Sequence, residues 1–237
     1  MSRRNPKRVD SALFVLLEAN MNRDLEKRSY MCEVRAENDN GESIIEGRPI
    51  VYGSRTLIRG FWGDEWEEEI VAGALNKTDL TDVRFLVNHD MNRIPLARSR
   101  RNNGNSTMQL FTDDEGMRIR VRLDTENNAE ARALYSAVSR GDISGMSFCF
   151  SVAGEEWENL DGDMPLRRIT EIASVVEVSA VTFPAYQSTE IHVRSGKDSL
   201  EKEQPSALEK ARQQRAAALE KVEVEKIKLK ISILGGN

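Results

Sequence analysis

Histidine and cysteine are scarce in this chain, with two of each among 237 residues. Cys32 and Cys149 cannot build a disulfide framework, and neither stands in a paired metal-ligand spacing. They read as reduced thiols of a cytosolic setting. The two histidines, His89 and His192, lie far apart and offer too few ligands for a metal-dependent hydrolase built on His89 and Asp90. Long apolar runs are missing too. The stretch Ala12–Ala19 is short, contains Glu18 and lacks a small-residue cleavage site, which argues against both a transmembrane helix and a signal peptide. Nor is there a surplus of positive charge: the formal net charge is −5, which disfavours a nucleic-acid partner. Arg3, Arg4, Lys7 and Arg8 make a short basic start of the kind that is usually a solvated tail. What is present, 39% hydrophobic and 31% charged residues, fits a globular protein with one sizeable domain and appendages, or two small domains.

Periodicity divides the chain into three parts: a leader over residues 1–28, a domain over 29–195, and a linker with a charged tail over 196–237. In the leader, Leu13, Leu16, Leu17, Met21 and Leu25 recur at helical spacing, which predicts a helix over Ser11–Lys27 with Asp10 placed to cap it. From Tyr30 the spacing changes to that of strands. Met31–Ala36 and Ser43–Tyr52 flank an Asn/Asp/Gly turn and read as a hairpin. Ser106–Phe111 and Met117–Leu123 flank a second, acidic turn. Trp66–Ile70 leads into a short amphipathic segment, Val71–Leu75, and Val83–Asn88, Ile143–Val152, Leu166–Ile172, Val175–Val181 and Glu190–Arg194 are the other predicted strands. A helix over Asn128–Arg140, capped by Thr125 and ended by Gly141-Asp142, separates the second hairpin from the next strand. Beyond Ser195 the polar stretch Gly196–Ser206 marks a linker, and Ala207–Lys230 reads as a mixed-charge helix outside the core.

Three side chains stand out chemically. His89 closes the apolar strand Val83–Asn88, and alternation places it on the face of Val83, Phe85 and Val87, at the edge of a buried surface. It is either a partly buried structural histidine or a base. In Gly145-Met146-Ser147-Phe148-Cys149-Phe150, alternation puts Met146, Phe148 and Phe150 on one face and Gly145, Ser147 and Cys149 on the other. Large side chains can anchor this strand while a small-residue face presents the Ser147 hydroxyl, although any edge strand with a serine shares that pattern. The rival Ser144 falls on the aromatic face. Glu177 interrupts the apolar run Val175–Val181, so it either faces solvent, pairs with an arginine such as Arg168, or orients an imidazole.

In order along the chain stand Asn88-His89-Asp90, Asp114-Glu115-Gly116-Met117, the segment from Gly141-Asp142-Ile143 through Ser147-Phe148-Cys149-Phe150, and Glu177-Val178-Ser179-Ala180-Val181-Thr182-Phe183-Pro184-Ala185-Tyr186. With Ile70-Val71-Ala72-Gly73-Ala74-Leu75 upstream, this series resembles the prohead proteases of tailed bacteriophages over roughly residues 30–194. The resemblance implies a β-rich α+β fold related to herpesvirus assemblins, a mostly antiparallel β-barrel with flanking helices. It also implies Ser147 as nucleophile, His89 as general base and then acid, and Glu177 as third member. His192 is the alternative third member, because assemblins use a second histidine there. Where the family has glycine two residues after the nucleophile, this chain has Cys149.

No metal or cofactor is implied. The implied substrates are scaffold segments of the capsid precursor inside the prohead, in the host cytoplasm, and the protease itself. A nucleic-acid or membrane partner is not implied. The leader through about Lys27 and the tail from about Ser195 would be removable extensions. The alternative is a catalytically inactive scaffold or assembly protein of the same fold, against which the joint presence of Ser147, His89 and Glu177 argues.

Overall fold

Short alternating runs broken by Asn, Asp and Gly turns give twelve strands and two helices in the computed structural model, which describes residues 25–31, 34–60, 63–182, 188–189 and 206–234. The strands are β1 Leu25–Met31, β2 Val34–Asp39, β3 Glu42–Val51, β4 Thr56–Arg59, β5 Glu65–Ile70, β6 Asp82–Val87, β7 Ala97–Arg100, β8 Met108–Asp113, β9 Gly116–Leu123, β10 Gly145–Glu158, β11 Leu166–Val181 and β12 Ser188–Thr189. The helices are α1, Ala129–Ser139, and α2, Ala207–Leu234. Cys32, His192, the predicted strand Glu190–Arg194, the linker over 196–205 and most of the predicted leader helix lie outside the described residues.

The strands form two sheets. One has four strands in the order β2-β3-β9-β8, all antiparallel. Its β2–β3 hairpin turns through Asn40 and Gly41, both at positive φ, as a tight Asn-Gly turn requires. The other has eight strands, along the path β1-β10-β11-β5-β4-β12 with β6 and β7 attached beside β11. Strand pairing among the described residues leaves both sheets open, so the closed barrel implied by the resemblance is not seen. The β-rich composition with few helices agrees with the expectation.

Strand β11 organises the larger sheet. One edge pairs antiparallel with β10 over its whole length. The other edge carries two parallel partners in succession, β5 beside Leu166–Ile169 and β6 beside Glu177–Ala180. It runs unbroken where two strands, Leu166–Ile172 and Val175–Val181, are predicted, because bulges at Thr170, Ala173 and Val176 of β11, and one at Ala153 of β10, take up the irregularity between them.

Three other local expectations differ from the structure. Leu25–Lys27, expected in a helix, belong to β1. Strand β1 supplies hydrogen-bond partners along the edge of β10, a non-local gain that helical periodicity does not register. Met31–Ala36 is likewise divided between β1 and β2. The cap of α1 is Asn128 rather than Thr125: its Oδ1 accepts from Glu130 N at 2.9 Å and Ala131 N at 3.3 Å. Thr125 bonds the Ser43 hydroxyl instead, at 2.8 Å.

The main core lies between the sheets. Phe85, Met146, Phe148, Phe150 and Val178 meet Ile45, Ile50, Met117, Ile119 and Val121, and Ala131, Leu134 and Val138 of α1 close it. Each fully buried large side chain contributes about 1.5–3 kcal/mol. A second cluster places Ala207, Leu208 and Ala211 of α2 against Ile58, Trp66 and Leu160. Ser206 caps this helix by accepting from Glu209 N at 3.1 Å. The first turn of α2 is thus anchored, whereas its surface from Arg212 to Lys230 is exposed.

Candidate active site

Ser147, Glu177 and His89 come from three adjacent strands, β10, β11 and the end of β6. In the sheet register Ser147 is opposite Ser179, and Ser179 is beside Leu86. Glu177 precedes Ser179 by two residues, so strand alternation puts both on the face of Ser147 and Cys149.

Continued alternation along β6 would send His89 to the core face with Phe85. The strand instead ends at Val87, and Asn88 and His89 adopt left-handed backbone, with φ of 51° and 58°. Two successive non-glycine residues at positive φ are costly and require external support. That support is visible. Asn88 N donates to Ala180 O at 3.0 Å, Asn88 Oδ1 accepts from Thr182 N at 3.0 Å, and His89 N donates to Ser179 Oγ at 3.0 Å. The turn swings the imidazole across to the serine.

The result is a continuous relay. His89 Nε2 lies 2.5 Å from Ser147 Oγ. His89 Nδ1 is hydrogen-bonded to Glu177 Oε1. Glu177 Oε2 accepts from the Ser179 hydroxyl at 2.7 Å. With Nδ1–H directed to the carboxylate, Nε2 carries the lone pair and is able to accept a proton from the serine. The Glu177 side chain is fully buried, whereas that of His89 retains 14% exposure. A buried carboxylate in this position fixes the tautomer and favours the imidazolium that forms when the serine loses its proton.

Glu177 has no pairing with Arg168, which binds Glu69 at 2.8 Å and Glu158 at 3.3 Å. Ser144 is exposed ahead of β10. Cys149 sits on the site face opposite Glu177 in the register. Burial pushes its thiol up to about 12, with the Glu177 charge adding to the effect, so the sulfur stays a neutral thiol at physiological pH. Among the described residues, no group of three or more His, Cys, Asp or Glu side chains could hold a metal ion.

Sequence reasoning passed over Ser179, whose hydroxyl joins the His89 backbone to the Glu177 carboxylate. The signal was alternation: Ser179 is two residues from Glu177 on the same strand face. It also passed over β1. Ser147 is fully buried, and its hydroxyl lies 2.7 Å from Arg28 O on that strand. A cleft of about 450 Å³, lined by Val87, Asn88, Asp90, Ile94, Leu134 and Ile143 among others, opens beside the His89 turn.

A hydroxyl, an imidazole and a buried carboxylate in hydrogen-bonded series form the constellation of a serine-hydrolase site. Residues 31–203 match the family model described as caudovirus prohead serine protease, well over half of the chain. The chain belongs to that family of tailed-phage capsid-maturation serine proteases. Among its relatives, the prohead protease of Enterobacteria phage HK97 is 25% identical over 173 residues, 71% of this chain and 68% of that protein. No solved structure matches.

Proposed function

We propose that this chain is a serine endopeptidase that cuts scaffold segments of the capsid precursor, and itself, within the assembling prohead of the host cell. Ser147 Oγ attacks the scissile carbonyl as His89 Nε2 takes its proton. The imidazolium then protonates the leaving amine, and water attacking with His89 as base releases the acyl-enzyme. Glu177 holds the imidazole by Nδ1 throughout. The observation that carries this reading is the unbroken series Ser147–His89–Glu177, at hydrogen-bonding separations, in a member of a protease family. A relation to herpesvirus assemblins belongs to the same proposal, and the β-rich architecture supports it. So does a role for the tail as an extension that joins the scaffold, since α2 exposes most of its length.

Co-expression with a capsid precursor tests the reading, in wild-type and Ser147→Ala forms and with EDTA present or absent. The expected outcome is precursor processing that survives EDTA and disappears in Ser147→Ala. Processing that persists in Ser147→Ala, or that EDTA abolishes, would refute it.

A further inference from the structure

Strand β1 occupies the place where a substrate strand would lie. It pairs antiparallel with β10 from Leu25↔Ser151 to Met31↔Gly145, which sets Ser29 beside Ser147, itself fully buried. Ser147 has one hydroxyl proton and two acceptors within reach, His89 Nε2 at 2.5 Å and Arg28 O at 2.7 Å. The hydroxyl donates to the carbonyl oxygen in this arrangement, so the Arg28 peptide group adjoins the nucleophile, and rotation of the hydroxyl toward His89 must free it to move over the carbonyl carbon, where attack starts at about 3–3.5 Å.

The side chain of the same residue enters a buried acidic pocket. Register places Arg28 beside Phe148, on the face opposite Ser147, and its guanidinium lies 5.8 Å from the Phe150 ring centroid. Arg28 Nε and Nη2 reach the two oxygens of Glu68 at 2.5 and 2.7 Å. Arg167 closes the pocket, bonding Glu68 at 2.9 Å and Glu155 at 2.8 Å. Glu26, the remaining acid, sits on β1 itself and bonds both arginines. When β1 is taken away, two carboxylates, Glu68 and Glu155, face one guanidinium, Arg167. The vacated pocket is therefore an anionic receptor for a cationic side chain, and a planar fork on Glu68 is matched best by arginine.

We infer that Arg28–Ser29 is a self-cleavage bond held in the active site by β1, and that Glu68 selects a basic residue on the acyl side of the bond that is cut. This inference rests on the proposed protease function. Ser147 Oγ adds to the Arg28 carbonyl carbon and its proton passes to His89. The Arg28–Ser29 C–N bond then breaks, His89 protonates the Ser29 amine, and residues 1–28 remain as an ester on Ser147. Water hydrolyses the ester, leaving a carboxylate on Arg28 and a free serine. Departure of β1 opens the site to other strands. The family match begins at residue 31, so nearly all of β1 lies ahead of the shared domain.

Intact-mass measurement and N-terminal sequencing of the full chain test the bond. Wild type should lose residues 1–28 and begin at Ser29, and Ser147→Ala should remain uncut. Arg28→Lys should still be cut and Arg28→Leu should not. Cut sites in a peptide mixture from a glutamyl-endopeptidase digest of bacterial protein, treated with wild type, test the pocket without any variant. At least a tenfold excess of Arg or Lys before the cut is expected, and Glu68→Gln should lower that excess at least tenfold. Ser147-dependent cleavage that leaves Arg28–Ser29 intact overturns the self-cleavage assignment, and cleavage without basic preference overturns the role of Glu68. In both cases the protease function stands. A wild type that cuts neither itself nor the peptides in a Ser147-dependent manner overturns that function as well. If Glu68→Gln fails to fold, the wild-type cut sites alone decide.

Discussion

Replacing Ser179 by alanine isolates the support behind the histidine from the histidine itself. The Ser179 hydroxyl donates to the buried Glu177 carboxylate at 2.7 Å and accepts from His89 N at 3.0 Å. A hydrogen bond to a charged group contributes about 1.5–3 kcal/mol, and an orphaned buried N–H costs a similar amount. If about 2 kcal/mol of this is realised only as the imidazolium forms, the rate falls roughly 30-fold at 1.36 kcal/mol per decade. Part of the loss also appears as instability of about 2–3 kcal/mol, or roughly 4–12 °C in Tm for a domain of this size. Steady-state cleavage of a peptide substrate, run at 20 °C on protein shown by circular dichroism to be folded, separates the two. The expected outcome is kcat down 10- to 100-fold with KM within about twofold, because Ser179 touches no substrate. A folded Ser179→Ala protein whose kcat stays within twofold of wild type would sink the argument that the left-handed turn at Asn88-His89 depends on this hydroxyl.

Glu177→Gln keeps the shape of the relay but removes the charge, and kcat should fall about a thousand-fold or more in peptide cleavage with little change in KM. Burial raises the Glu26 carboxyl, yet Arg167 and then Arg28 outweigh it and hold it at about 2. Its folded value lies below its unfolded value, so its contribution is complete above about pH 4.5 and is lost as pH falls toward 2. Thermal melts of Ser147→Ala across that window should lose on the order of 3 kcal/mol that the double variant Ser147→Ala/Glu26→Gln does not lose; equal slopes in the two would refute it. Gly116 has φ 137°, and a Cβ there would lie 2.0 Å from Ile50 O. Gly116→Ala should therefore cost about 3 kcal/mol or more in a denaturant melt, and an unchanged midpoint would contradict the close β3–β9 approach.

The strands of this protein were legible because alternation and turn chemistry are local. The hairpin around Asn40-Gly41 and the acidic turn before Gly116 both occur where such residues punctuate apolar runs. Ser147, His89 and Glu177 were nominated from ordered motifs and strand faces, and the folded chain places them within hydrogen-bonding reach of one another. Local pattern could not foresee how they meet. Period two assigned His89 to the core face, and two left-handed residues reversed that. Such a turn is stabilised by Ser179 and Ala180 of β11 and by Thr182 just beyond it, 90 to 94 residues away. Alternation puts Ser179 on the face of Glu177, but that pattern does not say which neighbour a strand serine will hold until the fold brings them together.

Pairing across the sheet is likewise non-local. Helical spacing through Leu25 says nothing of the free edge of β10, yet that edge draws Leu25–Met31 into strand and sets Arg28 against Ser147. Sequence alone therefore determined the strand-rich character and the turn positions, both properties of short windows, whereas Ser147, His89 and Glu177 became candidates only through an ordered series of motifs that resembles one family. Tertiary structure decided which face His89 serves, what buttresses Glu177 and what covers Ser147, because each depends on hydrogen bonds between segments whose encounter only the folded sheet brings about.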